Sequence, residues 1–269
     1  MIAALFRRMD KARFLGFDVW EFSWRSLGCS YGRLFLRAVV LRHPLLTLAG
    51  ARKYRRIVLP ARQPDLSPVD VHSRGEFAGL PPEEAWVVGL GFCEKPMDPP
   101  CPAGRFNHRC RLLEQEQSAP APEPCHECRI AHVAAQALAA GASVYIMTSA
   151  EDIARDLLLP SLRAGAYRTA VLSVCRYSLP PFTLAMAICG VRGWVFTYSS
   201  GDCRDFAAWS RADIGLKQER TFPSDEGRWR LVELLKEAAE NRCAAGLQPA
   251  RRFRWAGNLY VPDQDQAET

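Results

Sequence analysis

"ASVYIMTSAEDIARDLLLPSLRAGAYRTAVLSVC", residues 142–175, carries the decision about the fold. It opens and closes on short, continuous apolar runs of strand length. Between them Ser149 stands as an N-cap with Asp152 three residues on, a variant of the capping box that starts a helix. Strand, helix and strand follow one another with short connections. An uninterrupted apolar strand is expected where helices cover both sheet faces, so the unit reads as β-α-β in a parallel sheet.

The same pattern extends in both directions. "AWVVGLGF" (85–92) is a further strand, and "CRIAHVAAQALAAG" (128–141) is a helix with Ile130, Val133, Ala134 and Leu138 on one side and Gly141 as its stop. "LPPFTLAMAICG" is a helix with prolines at its permitted start and Gly190 at its end, and "GWVFTYSSG" (193–201) is a fourth strand. "EGRWRLVELLKEAAENRCA" (226–244) adds a C-terminal helix. The expected fold is α/β: a mostly parallel sheet of about four strands flanked by helices, with a basic helical N-terminal extension and a Cys/Pro-rich insertion. The expected organisation is a basic helical extension over 1–60, a turn-rich linker over 61–84, a Cys-rich α/β domain over 85–245 and a tail over 246–269, frayed at "PDQDQAET".

A chain of 269 residues with 24% charged residues can bury a core without covalent staples. No segment has the near-uncharged length of a membrane span or the layout of a secretory signal, so the expected compartment is the cytosol, where thiols stay reduced. Ten cysteines in that setting favour metal or redox chemistry over a disulfide framework. Charge is uneven. Residues 1–60 hold twelve Lys or Arg against three Asp or Glu, while the whole chain is +6. That segment is expected to form two amphipathic helices, packed on the main domain with their cations solvated or docking on an anionic membrane surface or an acidic partner. Nucleic acid is not expected, because the main domain adds no basic patch.

Seven cysteines fall where a parallel sheet collects ligands, outside the carboxyl ends of its strands. Cys93 follows the first strand, Cys175 closes the third and Cys203 lies beyond the fourth. Cys125 and Cys128 begin a helix on that rim, and Cys101 and Cys110 lie in the proline-rich insertion that leaves it. Cys29, Cys189 and Cys243 read as small buried hydrophobes. The helix start and the neighbouring Arg105, Arg109 and Arg129 are expected to favour thiolates. One CxxC and gaps of seven, eight and fourteen residues between Cys93, Cys101, Cys110 and Cys125 match neither paired zinc knuckles nor a ferredoxin spacing. Seven thiols exceed the needs of one zinc, so an iron–sulfur cluster, of 4Fe–4S type, is favoured over zinc. Cys93, Cys101, Cys110, Cys125 and Cys128 are the main ligand candidates, and Cys175 and Cys203 are further ligands or a reactive thiol. His108 is an alternative ligand. Disulfide exchange through "CHEC" is disfavoured, because a flexible loop rather than a strand precedes it.

"YSSGDCRDFAAWSRADIGLKQERT" (198–221) begins on the same rim and offers Asp202, Cys203, Arg204 and Asp205 as catalytic candidates, with Asp213, Lys217 and Glu219 nearby. The C-P-x7-C element (Cys101 to Cys110), the CxxC (Cys125 to Cys128) opening an α/β segment and the late cysteines at strand ends resemble an uncharacterised bacterial cysteine-rich family. Its members are often encoded near radical or cofactor-handling enzymes. The resemblance spans residues 85 to 205, and "SSGDCRDFAAW" departs from that family's late motif. It implies cluster binding. The expected function is a cytosolic iron–sulfur protein serving electron transfer to, or assistance of, a partner enzyme. A zinc-stabilised scaffold and a metal-dependent enzyme using the 198–221 cluster are the alternatives.

Overall fold

The computed structural model describes residues 1–61, 69–70, 85–114, 120–250 and 253–263. All four expected strands form: β2 (Trp86–Gly91), β3 (Ser143–Met147), β4 (Thr169–Val174) and β5 (Arg192–Ser200). They run parallel in the order β5-β4-β2-β3. The sheet is larger than expected and not mostly parallel. β1 (Val69–Asp70) and β6 (Phe222–Pro223) pair antiparallel with β5, and the hairpin β7 (Phe253–Ala256) and β8 (Leu259–Pro262) extends the opposite edge beside β3. Part of the presumed tail is therefore sheet. The hairpin's two-residue turn is Gly257–Asn258, with a positive φ of 53° at Gly257, as tight hairpins require. Of the expected linker, only Ala61 and the 69–70 pairing are described; the frayed end expected at 264–269 lies outside the described residues.

Both faces of the parallel strands are covered, which is why their sequences are continuously apolar. Side chains alternate along a strand. Val87 of β2 joins Tyr145, Leu172 and Val195 on one face, in one apolar cluster with Tyr54, Val58, Leu157, Leu158 and Met186 of the covering helices. Trp86, Val88 and Leu90 join Ile146, Val171 and Phe196 on the other, under helices Arg129–Ala139 and Asp225–Ala244. Each such fully buried Val, Leu or Ile contributes about 1.5–3 kcal/mol relative to exposure. The capping box at Ser149 forms as expected: Asp152 N–H donates to Ser149 Oγ at 3.1 Å and Asp152 Oδ2 accepts from Ser149 N–H at 3.3 Å.

The basic N-terminal segment forms more helices than the two expected. Ile2–Lys11 and Trp20–Ser26 are separated by left-handed Arg13 and Leu15, and the Asp10 carboxylate accepts from Trp20 and Glu21 N–H. Ser30–Val40 and Pro44–Val58 break at Pro44 and bend by 105°. No single described helix is long and apolar enough to cross a membrane; that bent pair reaches the length and composition only jointly. Much of the segment is built into the domain, since Val39, Tyr54 and Val58 are fully buried in the core beside β-strand residues. The contact is close because Gly50 has no side chain: a Cβ there would lie 2.3 Å from Ile188 Cα and 2.8 Å from the Ala187 carbonyl oxygen. Gly50→Ala is expected to destabilise the fold by about 1–3 kcal/mol through this overpacking, read as a lower urea midpoint at unchanged slope.

Candidate functional site

The chain runs from β2 to β3 on one side of β2, then crosses to β4 on the other. The connections leaving β2 and β4 diverge there, and such a switch point opens a crevice at the carboxyl ends of the strands. The seven rim cysteines gather at this end in two groups rather than one.

The first group is Cys101, Cys110, Cys125 and Cys128, which line a narrow pocket with Lys95 and Pro96. The charge states of these thiols are coupled to one another: Cys110 to Cys125 and Cys128, and Cys101 to both Cys125 and Cys128. Cys110, Cys125 and Cys128 are buried and Cys101 is half-buried. The Sγ of Cys110 faces the N–H groups of Leu112 and Leu113, and that of Cys128 faces those of Ile130 and Ala131. Lys95 holds the insertion in shape. Its buried ammonium donates to Gly104 O (3.0 Å), Asn107 O (2.9 Å) and Asn107 Oδ1 (2.8 Å), and burial lowers its pKa to about 8. Cys110 N–H donates to Tyr260 Oη of β8 at 2.7 Å, and that hydroxyl donates to the Glu114 carboxylate.

The second group is Cys93, Cys175 and Cys203, at the ends of β2 and β4 and just past β5. Cys93, expected among the main ligands, therefore stands apart from the other four. Cys175 and Cys203 line one cavity and pack in one cluster, and Lys217 Nζ lies 3.4 Å from Cys203 Sγ. Cys93 is close enough to both to couple to their charge. These groups line an apolar cavity of about 110 Å³ together with Phe92, Val174, Phe182 and Trp209.

A buried ion pair stands between the two groups. Glu94, 1% exposed, meets the Arg129 guanidinium and accepts from the Tyr198 hydroxyl, which itself accepts from Gly91 N–H at 3.0 Å. Burial, then the Glu94 carboxylate, pushes the Tyr198 phenol up. "FCEK" reads as a turn, and nothing local reveals that its two charges are buried; the only signal is their position directly after a fully apolar strand.

The expected lowering of thiol pKa values by nearby arginines does not occur. Burial raises Cys93 and Cys110 to about 11 and raises Cys125 and Cys128. The arginines are engaged elsewhere: Arg105 donates to the carbonyls of Lys217 and Glu219, Arg109 pairs with Glu114, and Arg129 pairs with Glu94. Cys203 is the exception. The hydrogen bond from Cys175, ahead of the Lys217 charge, brings it down to about 7 against its burial. His108 is held at the end of β3, with Nδ1 2.8 Å from Ile146 O and Nε2 3.2 Å from Thr148 Oγ1, which leaves neither nitrogen facing the thiols. Cys189 is buried as expected, but Cys29 is half-buried and Cys243 is exposed on the last helix.

The acidic candidates have structural partners. Asp205 caps helix Phe206–Asp213 by accepting from Ala208 N–H at 2.8 Å, and Asp213 accepts from Ala150 N–H at 2.6 Å. Burial raises the Asp213 carboxyl to about 6. Asp202 and Arg204 border an open groove with Lys217 and Glu219, and Arg204 and Asp205 are exposed.

Among the described residues, no three His, Cys, Asp or Glu side chains are grouped so as to hold a metal ion as they stand. No family model matches the chain, and no curated protein or solved structure matches it. Removing one partner of the buried pair strands the other charge, so Glu94→Ala is expected to cost about 3–5 kcal/mol, whereas Glu94→Gln with Arg129→Met is expected to cost much less. Chemical denaturation of both variants measures the difference.

Proposed function

We propose that this protein binds an iron–sulfur cluster through Cys101, Cys110, Cys125 and Cys128 and exchanges electrons with a partner enzyme. The observation that carries the reading is the four-thiol pocket itself. Four thiols lining one narrow pocket, backbone N–H groups facing two of the sulfurs and a buried lysine ammonium beside them form a donor set suited to a thiolate-bound cluster. A single zinc demands sulfurs about 2.3 Å from one point, whereas a cluster spreads its four thiolates more widely. The pocket of about 10 Å³ is narrow, so loading requires the insertion to move outward. The group would supply one-electron exchange, and the half-buried Cys101 would lie on its solvent side.

Thiols raised by burial must lose protons to bind metal, so loading releases protons and is favoured as pH rises. Protein purified anaerobically is expected to contain iron and acid-labile sulfide and to be brown, and Cys101→Ser with Cys125→Ser is expected to lose both. Stoichiometric zinc without sulfide would overturn the reading in favour of a zinc-stabilised scaffold.

We also propose that the N-terminal helices dock on an anionic membrane surface. Supporting this are Leu41 at 67% exposed and Leu45 at 81% exposed, with Leu46 and Leu48 exposed nearby, in a segment that also carries Arg37, Arg42 and Arg52. Exposed leucines beside arginines suit insertion at a lipid interface. Leu41→Asp with Leu45→Asp is expected to abolish co-sedimentation with vesicles containing phosphatidylserine, and high salt is expected to weaken it. Equal sedimentation of both proteins would refute the docking.

A further inference from the structure

The Cys93, Cys175 and Cys203 group has no part in the four-thiol pocket, yet it occupies the position where an α/β sheet of this order binds ligands. Its cavity, about 110 Å³, approaches the roughly 150 Å³ that accommodates a benzene-sized molecule. The walls are mostly apolar, and beside the thiols the charged side chains at the lining are Lys217 and Asp213. Cys175 and Cys203 pack in one cluster on this cavity, and Lys217 Nζ lies 3.4 Å from Cys203 Sγ.

We propose that Cys203 and Cys175 form a dithiol–disulfide couple that reduces a small disulfide with an apolar or aromatic body, Cys203 attacking and Cys175 resolving. The Cys203 thiolate attacks one sulfur of the substrate, forms a mixed disulfide and releases the first substrate thiolate. That thiolate takes the proton from Cys175. The Cys175 sulfur then attacks Cys203 Sγ, the second substrate thiolate leaves, and a proton from solvent neutralises it. Two protein thiols are oxidised to one disulfide, and one substrate disulfide is reduced to two thiols.

The asymmetry of the pair assigns the roles. Cys203 lies 3.4 Å from the Lys217 ammonium, so it is the sulfur that ionises near neutral pH. The neighbouring Cys203 sulfur and burial hold the Cys175 thiol well above the ordinary range until the first step removes the Cys203 charge. The titratable groups facing Cys203 are Cys175, Lys217, Asp202 and, more distantly, Cys93.

The test uses the full chain, reduced and desalted under anaerobic conditions, with 2,2′-dithiodipyridine as the aromatic disulfide probe. The unaltered protein is expected to release two pyridine thiones per fast-reacting site and to yield a Cys175–Cys203 disulfide in peptide mass mapping. Cys175→Ser is expected to stop at one thione with the pyridyl group retained on Cys203. Lys217→Met is expected to slow the fast phase at pH 7 about fivefold, because its thiolate forms at higher pH. Alkylation of Cys203 in the unaltered protein, followed from about pH 5 to about pH 9, needs no variant and is expected to rise through about pH 7. A Cys203 that reacts only after denaturation, a disulfide joining other cysteines, or a rate indifferent to Lys217→Met would overturn the proposal. So would iron retained at this group after Cys101→Ser and Cys125→Ser, which separates its failure from failure of the four-thiol reading.

Discussion

The rim of this molecule depends on one buried ion pair. Glu94 ends the turn that follows β2, and Arg129 begins the helix that leads to β3. Two charges removed from water tolerate burial only when closely matched and otherwise hydrogen-bonded. The Tyr198 hydroxyl supplies such a contact to Glu94 from β5 and Arg220 donates to the Glu94 carbonyl oxygen at 2.9 Å, whereas Arg129 Nε and Nη2 are buried without a hydrogen-bond partner among the described residues. Chain segments from the first parallel strand, the last one and the connecting helix are thereby tied at a single point. Lys95, the next residue, turns the opposite way and gathers the insertion around its ammonium.

That fastening explains why the cysteines divide. Cys93 precedes the ion pair and stays with the sheet ends, whereas Cys101 and Cys110 follow Lys95 and travel with the insertion toward Cys125 and Cys128. The two groups differ in chemistry as well as place. In the four-thiol group burial raises Cys110, Cys125 and Cys128. In the other, a thiol donor and an ammonium offset burial at a single sulfur, Cys203.

The four parallel strands and the helices between them were legible in the residues, because each buried strand is an unbroken apolar run and each helix is marked by Ser149, Pro180, Gly141 or Gly190. The edges were not. Strands of two residues, such as Val69–Asp70, carry no pattern, and the β7–β8 hairpin mixes Arg254 and Asn258 into a short alternation. The gathering of cysteines at the strand ends followed from element order alone. Their division into two groups did not, because it depends on which way the chain turns after Glu94, and that turn is set by Arg129, 35 residues later. The arginines expected to ionise the thiols were visible in sequence, but their carbonyl and carboxylate partners were not.

Tyr260 gives the molecule an order of assembly. Its hydroxyl receives the N–H of Cys110 across 150 residues of chain, from a hairpin late in the sequence. During synthesis, Cys101, Cys110, Cys125 and Cys128 all leave the ribosome well before the strand that braces one of them. The nascent four-thiol pocket therefore waits, incompletely supported, for the last strand pairing. A chain cut short before β8 would lack the Tyr260 brace on Cys110.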